Sequence, residues 1–376
     1  MARRVPRVEH ATLTDVAAAA GVSRATAARA LGGYGSVSDD ARALVEEAAT
    51  SLGYHPNTLA RSMITGTTQT IGVVVADIEL SFFARAVRGI ADSAKAHGFE
   101  VILANSDEDL AMERAAIGVL LEKRVDGLIV APAAPHDAGH LANLVQRGIP
   151  LVLLDRGAPG IPTDAVVVDN VRAVHNAVSH LARLGHWRIA IVSENSANLT
   201  VAQLADATFG PGDGMASILR LAGWASGLRS GGLPLADDLL LGTGYSREQA
   251  RATTAAALAM DDPPTAIVTV DEMMTLGAVD AIMAAGLRMP DDISLVTFDD
   301  LQWSTLVRPP LTVVAQPVYE LGMTATQRLL DRLAGDERPP ETIVLDTSFV
   351  LRGSTGPVPT RGPRTGSRPR PLNTAS

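Results

Sequence analysis

Two groups of residues are typed and spaced for recognition chemistry. Arg24 and Arg29 stand in a short segment that opens on Ser23; a guanidinium there is a planar fork that fits a phosphate or the O6 and N7 edge of guanine. Asp155, Asp271 and Asp299 each close a short apolar run. Carboxylates so placed accept hydrogen bonds from hydroxyl groups. Arg220 can donate a planar pair to the same ligand, and an aromatic ring can stack on the apolar face of a sugar. The first group calls for a helix presented to a duplex, the second for a cleft at the ends of buried strands.

The segment Thr12 to Leu31 supplies that helix. Thr12 caps a first helix that Asp15 answers from its first turn, and Val16 and Ala20 form its apolar face. Gly21 permits a turn, and Ser23 caps a second helix with Thr26 and Ala30 on one side and Arg24 and Arg29 elsewhere. Ser38-Asp39-Asp40 opens a third helix whose Val45, Ala48, Ala49 and Leu52 continue a buried face. A helix-turn-helix of this kind points at DNA, with an ordinary helical hairpin as the alternative. Behind Pro56, a helix from about Asn57 to Ile64 is too short to persist alone in water.

From Ile71 the pattern becomes alternating strands and helices. Runs at 71–77, 101–104, 127–130 and 150–155 are of the buried parallel-strand type. A second series at 189–192, 239–241, 266–271 and 295–299 repeats them. Two α/β lobes are expected, and in such sheets ligands bind beyond the carboxyl ends of the strands, where Asp155, Asp271 and Asp299 stand.

Many of these words, in this order, resemble the LacI family of bacterial transcription regulators, from about Thr12 to about Leu351. They include Thr14-Asp15-Val16-Ala17, Ala20-Gly21-Val22-Ser23, Leu52-Gly53-Tyr54, Pro56-Asn57, Ala60-Arg61-Ser62, Phe82-Phe83, Leu184-Gly185-His186, Leu219-Arg220-Leu221-Ala222-Gly223-Trp224, Phe298-Asp299-Asp300 and Pro309-Pro310-Leu311-Thr312. The resemblance implies an all-α helix-turn-helix headpiece joined to a two-lobed α/β core of parallel sheets flanked by helices, of the type I periplasmic-binding-protein kind. The implied partition is an N-terminal arm at 1–11, the headpiece at 12–56, a hinge helix and linker at 57–70, the core at 71–351 and a Pro/Arg-rich tail at 352–376. The arm and tail are expected to be disordered. Within the core, lobe 1 is expected at about 71–168 and 302–335, lobe 2 at 169–301 and 336–351.

Carried over residue by residue, the resemblance gives Arg24, Ala25 and Arg29 to base edges, the Ala25 methyl suiting a thymine methyl. Ser23, Thr26 and Asn57 fall to phosphates, and Ala60 and Met63 to the minor groove, where Met63 stands for an inserted leucine. The effector pocket it implies holds Asp155, Arg220, Tyr245, Asp271, Asp299 and Gln316. The implied partners are double-stranded operator DNA, a sugar, sugar derivative or nucleoside, and a second copy of the chain. Both induction and corepression occur in the family. Three departures stand out: Asp271-Glu272 replaces the usual Asn-Asp, Ala27 and Ala28 replace a valine and a serine, and the stretch between Ser193 and Ser217 is long and rich in Gly, Pro and Asp.

Composition is compatible with this reading. The 376 residues carry a net charge of -9, yet residues 1–70 hold seven Arg against six Asp and Glu, so the acidity lies in the core. A near-neutral headpiece favours a few placed arginines over a broad positive field. Cysteine is absent, which excludes disulfides and thiolate metal sites. No run approaches the ~18 apolar residues of a membrane span, and Arg3, Arg4, Arg7 and Glu9 do not open a signal peptide, so a cytoplasmic location is expected. Ile71 to Asp77 lacks a following glycine fingerprint, the only lysines are Lys95 and Lys123, and His136 and His140 sit among Pro135, Asp137 and Gly139. A dinucleotide enzyme, a P-loop, a metal centre and catalysis are not expected, and no cofactor is.

Overall fold

A computed structural model describes residues 11–32, 35–54, 66–194 and 198–359. The chain divides into two compact units, Met1–Gln69 and Thr70–Ser376.

In the first unit, helices α1 (Leu13–Ala19), α2 (Arg24–Gly32) and α3 (Asp39–Ser51) surround a small core of Val16, Ala17, Ala27, Ala30, Val45, Ala48 and Ala49. Thr12 and Asp15 form the reciprocal cap expected of them. The Asp15 carboxylate accepts from the Thr12 backbone N–H at 2.8 Å and the Asp15 N–H donates to the Thr12 hydroxyl at 3.4 Å. Gly21 sits at φ +65°, a left-handed conformation that a side chain would strain. Leu52 departs from expectation: it is 40% exposed, because α3 ends at Ser51 and the chain turns away at Gly53.

The second unit holds two six-stranded sheets. The first contains β1 (Thr70–Val75), β2 (Glu100–Asn105), β3 (Gly127–Val130), β4 (Leu151–Leu154), β5 (Asp164–Val168) and β11 (Thr342–Leu345), in the order β11-β5-β4-β3-β1-β2. The second contains β6 (Ile189–Glu194), β7 (Leu240–Thr243), β8 (Ala266–Thr269), β9 (Ser294–Phe298), β10 (Thr312–Ala315) and β12 (Ser348–Val350), in the order β12-β10-β9-β8-β6-β7. All pairings are parallel except β10 with β12. The central strands are buried on both faces, which is why they read as unbroken apolar runs. Their flanks are covered by α4 (Ser81–Ala96) with α12 (Val318–Leu333) on the first sheet, and by α7 (Asn170–Arg183) with α9 (Ala216–Ser230) and α10 (Arg247–Leu258) with α11 (Glu272–Ala284) on the second.

The chain passes between the sheets three times: after β5 at Asp169, after β10 at Gln316-Pro317, and between β11 and β12 at Asp346-Thr347. This corrects the expected lobe boundaries. Residues 302–315 belong with the second sheet, because β10 pairs with β9, and β11 belongs with the first, because it pairs with β5. Short apolar runs of equal length carry no local mark of the sheet they will join.

Candidate functional site

In the first unit, Ser23 accepts a hydrogen bond from the Thr26 N–H at 3.1 Å, and the two hydroxyls lie 2.9 Å apart. The cap starts α2 and contributes about 1 kcal/mol. Burial of Ala27 and Ala30 then sets the rotation of the helix, leaving Ser23, Arg24, Ala25 and Arg29 exposed and Thr26 half-buried. Arg29 Nε donates to the Ala25 carbonyl at 3.2 Å, one turn back, which leaves both terminal amino groups of the guanidinium for another acceptor. Asn57, Ala60 and Met63 lie outside the described residues.

In the second unit, strand ends from both sheets meet at a cavity of about 350 Å³. The first sheet contributes Asp77, Glu108, Asp155 and Arg156; the second contributes Glu194, Tyr245, Asp271 and Asp299, with Arg220 from α9. Asp155 and Asp299 are alike to an unusual degree. Each follows the fourth strand of its sheet counted from the N-terminal side, β4 or β9, and each adopts a left-handed backbone, at φ +68° and +73°. Each donates its N–H to the neighbouring strand, to Val166 O at 3.0 Å and Val314 O at 2.9 Å. Asp tolerates this conformation better than most residues, and strained backbone of this kind collects at ligand sites.

The side chains are held from behind. Arg220 is 7% exposed; its Nε donates to Asn170 Oδ1 at 2.8 Å, its Nη1 to the Val270 carbonyl at 2.6 Å, and its guanidinium carbon lies 3.8 Å from the Phe298 ring centroid. Nη2 is the nitrogen that neither bond uses. Gln316 does not line the cavity; its Nε2 donates to Asp299 Oδ1 at 2.7 Å and fixes that carboxylate. Burial pushes Asp299 above the usual carboxylate range, against the pull of Arg220 and Gln316. Asp271 caps α11 by accepting from the Met274 N–H at 2.9 Å, and desolvation pushes it up to about 6 despite that bond. Tyr245 is about half exposed, and its phenol is held protonated by partial burial and by the Asp271 carboxylate.

Five of the six expected pocket residues therefore line one cavity, and the sixth supports one of them. Sequence reasoning missed Arg156, Glu108 and Glu194. Arg156 is buried because Glu108 accepts from both its amino groups, at 2.7 and 2.6 Å, while Asp155 accepts from its Nε at 3.2 Å. Glu108 lies beyond the end of β2, outside the strand-end rule that found Asp155 directly after β4. Phe82 and Phe83, in edge-to-face contact at 5.0 Å, also border the cavity. The Gly- and Pro-rich stretch contributes as well: the Gly157 N–H donates to the Gly212 carbonyl at 2.9 Å, and Met215 to Ser217 line the cavity. His140 is paired with Glu113 at 2.6 Å, away from the cavity lining.

Known proteins match both units. The profile for bacterial regulatory proteins of the lacI family covers residues 12–57, and that for periplasmic binding proteins and the sugar binding domain of the LacI family covers 68–351. The HTH-type transcriptional regulator DegA of Bacillus subtilis is 30% identical over 93% of this chain and 99% of its own length. The HTH-type transcriptional repressor CytR of Escherichia coli is 32% identical over 93% and 97%. Among solved structures, the lac repressor dimer bound to operator and an anti-inducer is 28% identical over 93% of this chain and 100% of that one, with a TM-score of 0.78. A LacI family regulator of Enterococcus faecium with bound ribose is 30% identical over 77% and 99%, with a TM-score of 0.66.

Proposed function

Because the chain belongs to the LacI family of bacterial DNA-binding transcriptional regulators, we propose that it represses carbohydrate-utilisation genes, binding a palindromic operator as a homodimer and answering to a sugar-like effector held between its lobes. The observation that carries this reading is the cavity where Asp155, Arg220, Tyr245, Asp271 and Asp299 converge from two sheets. A binding module accounts for such a cavity, and no enzymatic step is invoked. The chain works in the cytoplasm, where its operator lies, and no described helix is long and apolar enough to cross a membrane.

Each residue has a role in this scheme. Arg24, Ala25 and Arg29 read base edges, Ser23, Thr26 and Asn57 hold phosphates, and Ala60 and Met63 enter the minor groove. Asp155, Asp271 and Asp299 accept from effector hydroxyls, Arg220 donates through Nη2, Tyr245 stacks, and Gln316 holds Asp299. Two of the chain's passages between lobes touch the pocket through Asn170 and Gln316, so an effector on Arg220 and Asp299 bears on the segments about which the lobes turn. Lobe angle then biases whether the segment at 57–70 orders on DNA.

The test is enrichment of duplexes from a random pool by the purified full-length protein, with and without a mixture of sugars and nucleosides. Recovery of one palindrome whose retention changes with the mixture is the expected result. Enrichment of no sequence at low salt overturns the reading.

A further inference from the structure

The cavity is far more acidic than a neutral sugar needs. Eight carboxylates and two guanidiniums line it. Arg156 is already committed to Glu108 and Asp155. Arg220 spends its bonds on a neutral amide and a backbone carbonyl. Among the described residues, no basic side chain forms an ion pair with Asp77, Asp107, Glu194, Asp271, Glu272 or Asp299.

We propose that the cleft selects an effector that carries a protonated amine beside its hydroxyls, an amino sugar or a compound of like chemistry, with Asp271 as the amine's principal partner. This rests on the cleft being the effector site. An ammonium has three donors and no acceptor, which matches Asp271, an acceptor where an amide would both donate and accept. Tyr245 and the half-buried Phe82 border the same cavity, and an aromatic ring attracts a cation that settles over its face. Arg220, buried with Nη2 uncommitted, takes a hydroxyl or ring oxygen at the other end of the ligand. Closing the cleft on a neutral polyol would desolvate several carboxylates that have no ion-pair partner, a cost that an ammonium offsets. Burial raises Asp271, Asp299 and Glu194; Arg220 pulls the first two back, neighbouring acids (Asp299 on Asp271, Asp155 and Glu272 on Asp299) push against that pull, and at Glu194 the push of Glu108 exceeds the pull of Arg156. Among the described residues no group of His, Cys, Asp or Glu is arranged to hold a metal ion.

Matched pairs differing at one position test the inference: glucose with glucosamine, galactose with galactosamine, and mannose with mannosamine, titrated calorimetrically into the full-length protein near neutral pH. At least one amine should bind about tenfold or more tighter than its neutral partner. Asp271→Asn, which keeps the helix cap, should bring that pair close to parity while melting no lower than the wild type. Equal or tighter binding of every neutral member, binding of no member, or an unchanged preference in the variant each overturns the proposal. Operator selection separates this from the broader reading: a palindrome recovered with only neutral ligands bound sinks the amine and spares the regulator, whereas amine binding without any enriched duplex does the reverse.

Discussion

At Asp271 a carboxyl is drawn into a cleft among other acids, and its upward displacement to about 6 is a statement about stability. A group whose folded pKa lies above its unfolded value holds protons longer in the native state, so its contribution declines as pH rises from about 4 to about 6 and stays lost above. Asp271→Asn should therefore stabilise the core at neutral pH relative to the wild type, on the order of 1 to 2 kcal/mol in a solvent-accessible cleft, and make no difference near pH 4. Melting temperatures of the two proteins across that range give the answer. Arg29 belongs to the proposed DNA-reading strip. Arg29→Ala removes a donor pair from the exposed strip of α2 while leaving the buried side of that helix intact, and should weaken operator affinity by about 1 to 3 kcal/mol with the core's melting unchanged. Asp299→Asn tolerates the left-handed backbone that Asp299 adopts at φ +73°, so it should leave operator affinity unchanged and abolish the response to effector; a normal response would move the pocket elsewhere.

The elements explain what was legible in the amino-acid sequence. Capping hydroxyls at Thr12, Ser23 and Ser38 announce the three headpiece helices because the cap is a local bond between residues three apart. Gly21 announces the turn for a similar reason, and Gly21→Val should cost the headpiece roughly 1 to 2 kcal/mol, seen as faster amide exchange in α1 and α2 with the core unaffected. Strand ends were legible too, which is why Asp155, Asp271 and Asp299 were found. What escaped was settled by distant partners. Arg156 after a strand reads as solvent-facing until Glu108, 48 residues earlier, is brought against it. Gln316 was placed in the pocket, whereas it stands behind Asp299 at a passage between lobes. The sheet membership of β10 and β11 was likewise invisible, since pairing with residues far along the chain, such as Thr312 with Val296 and Thr342 with Ala165, decides it.

Across the second unit as a whole, side-chain bonds link two of the passages between sheets to pocket residues and the first passage to the third. Asn170 follows the first passage and bonds Arg220, Gln316 forms the second and bonds Asp299, and Arg172 on α7 pairs with Asp346 of the third at 2.7 Å. Asn170→Ala would strip a buried guanidinium of one acceptor, with an expected loss of about 1 to 3 kcal/mol of core stability and weaker effector binding, measurable by denaturant unfolding and titration. The matched placement of Asp155 and Asp299 adds a different constraint. Two sheets wired in the same order present the same carboxylate from opposite walls, so the pocket has an approximate internal twofold. A ligand turned end for end meets an aspartate on the same backbone arrangement either way. Its orientation must then be read by the groups the two walls do not share: Arg156 and Glu108 on one side, Arg220, Tyr245 and Asp271 on the other. Stereochemical choice resides in the broken symmetry, and substitutions that change which isomer is accepted should fall at those positions before they fall at the matched pair.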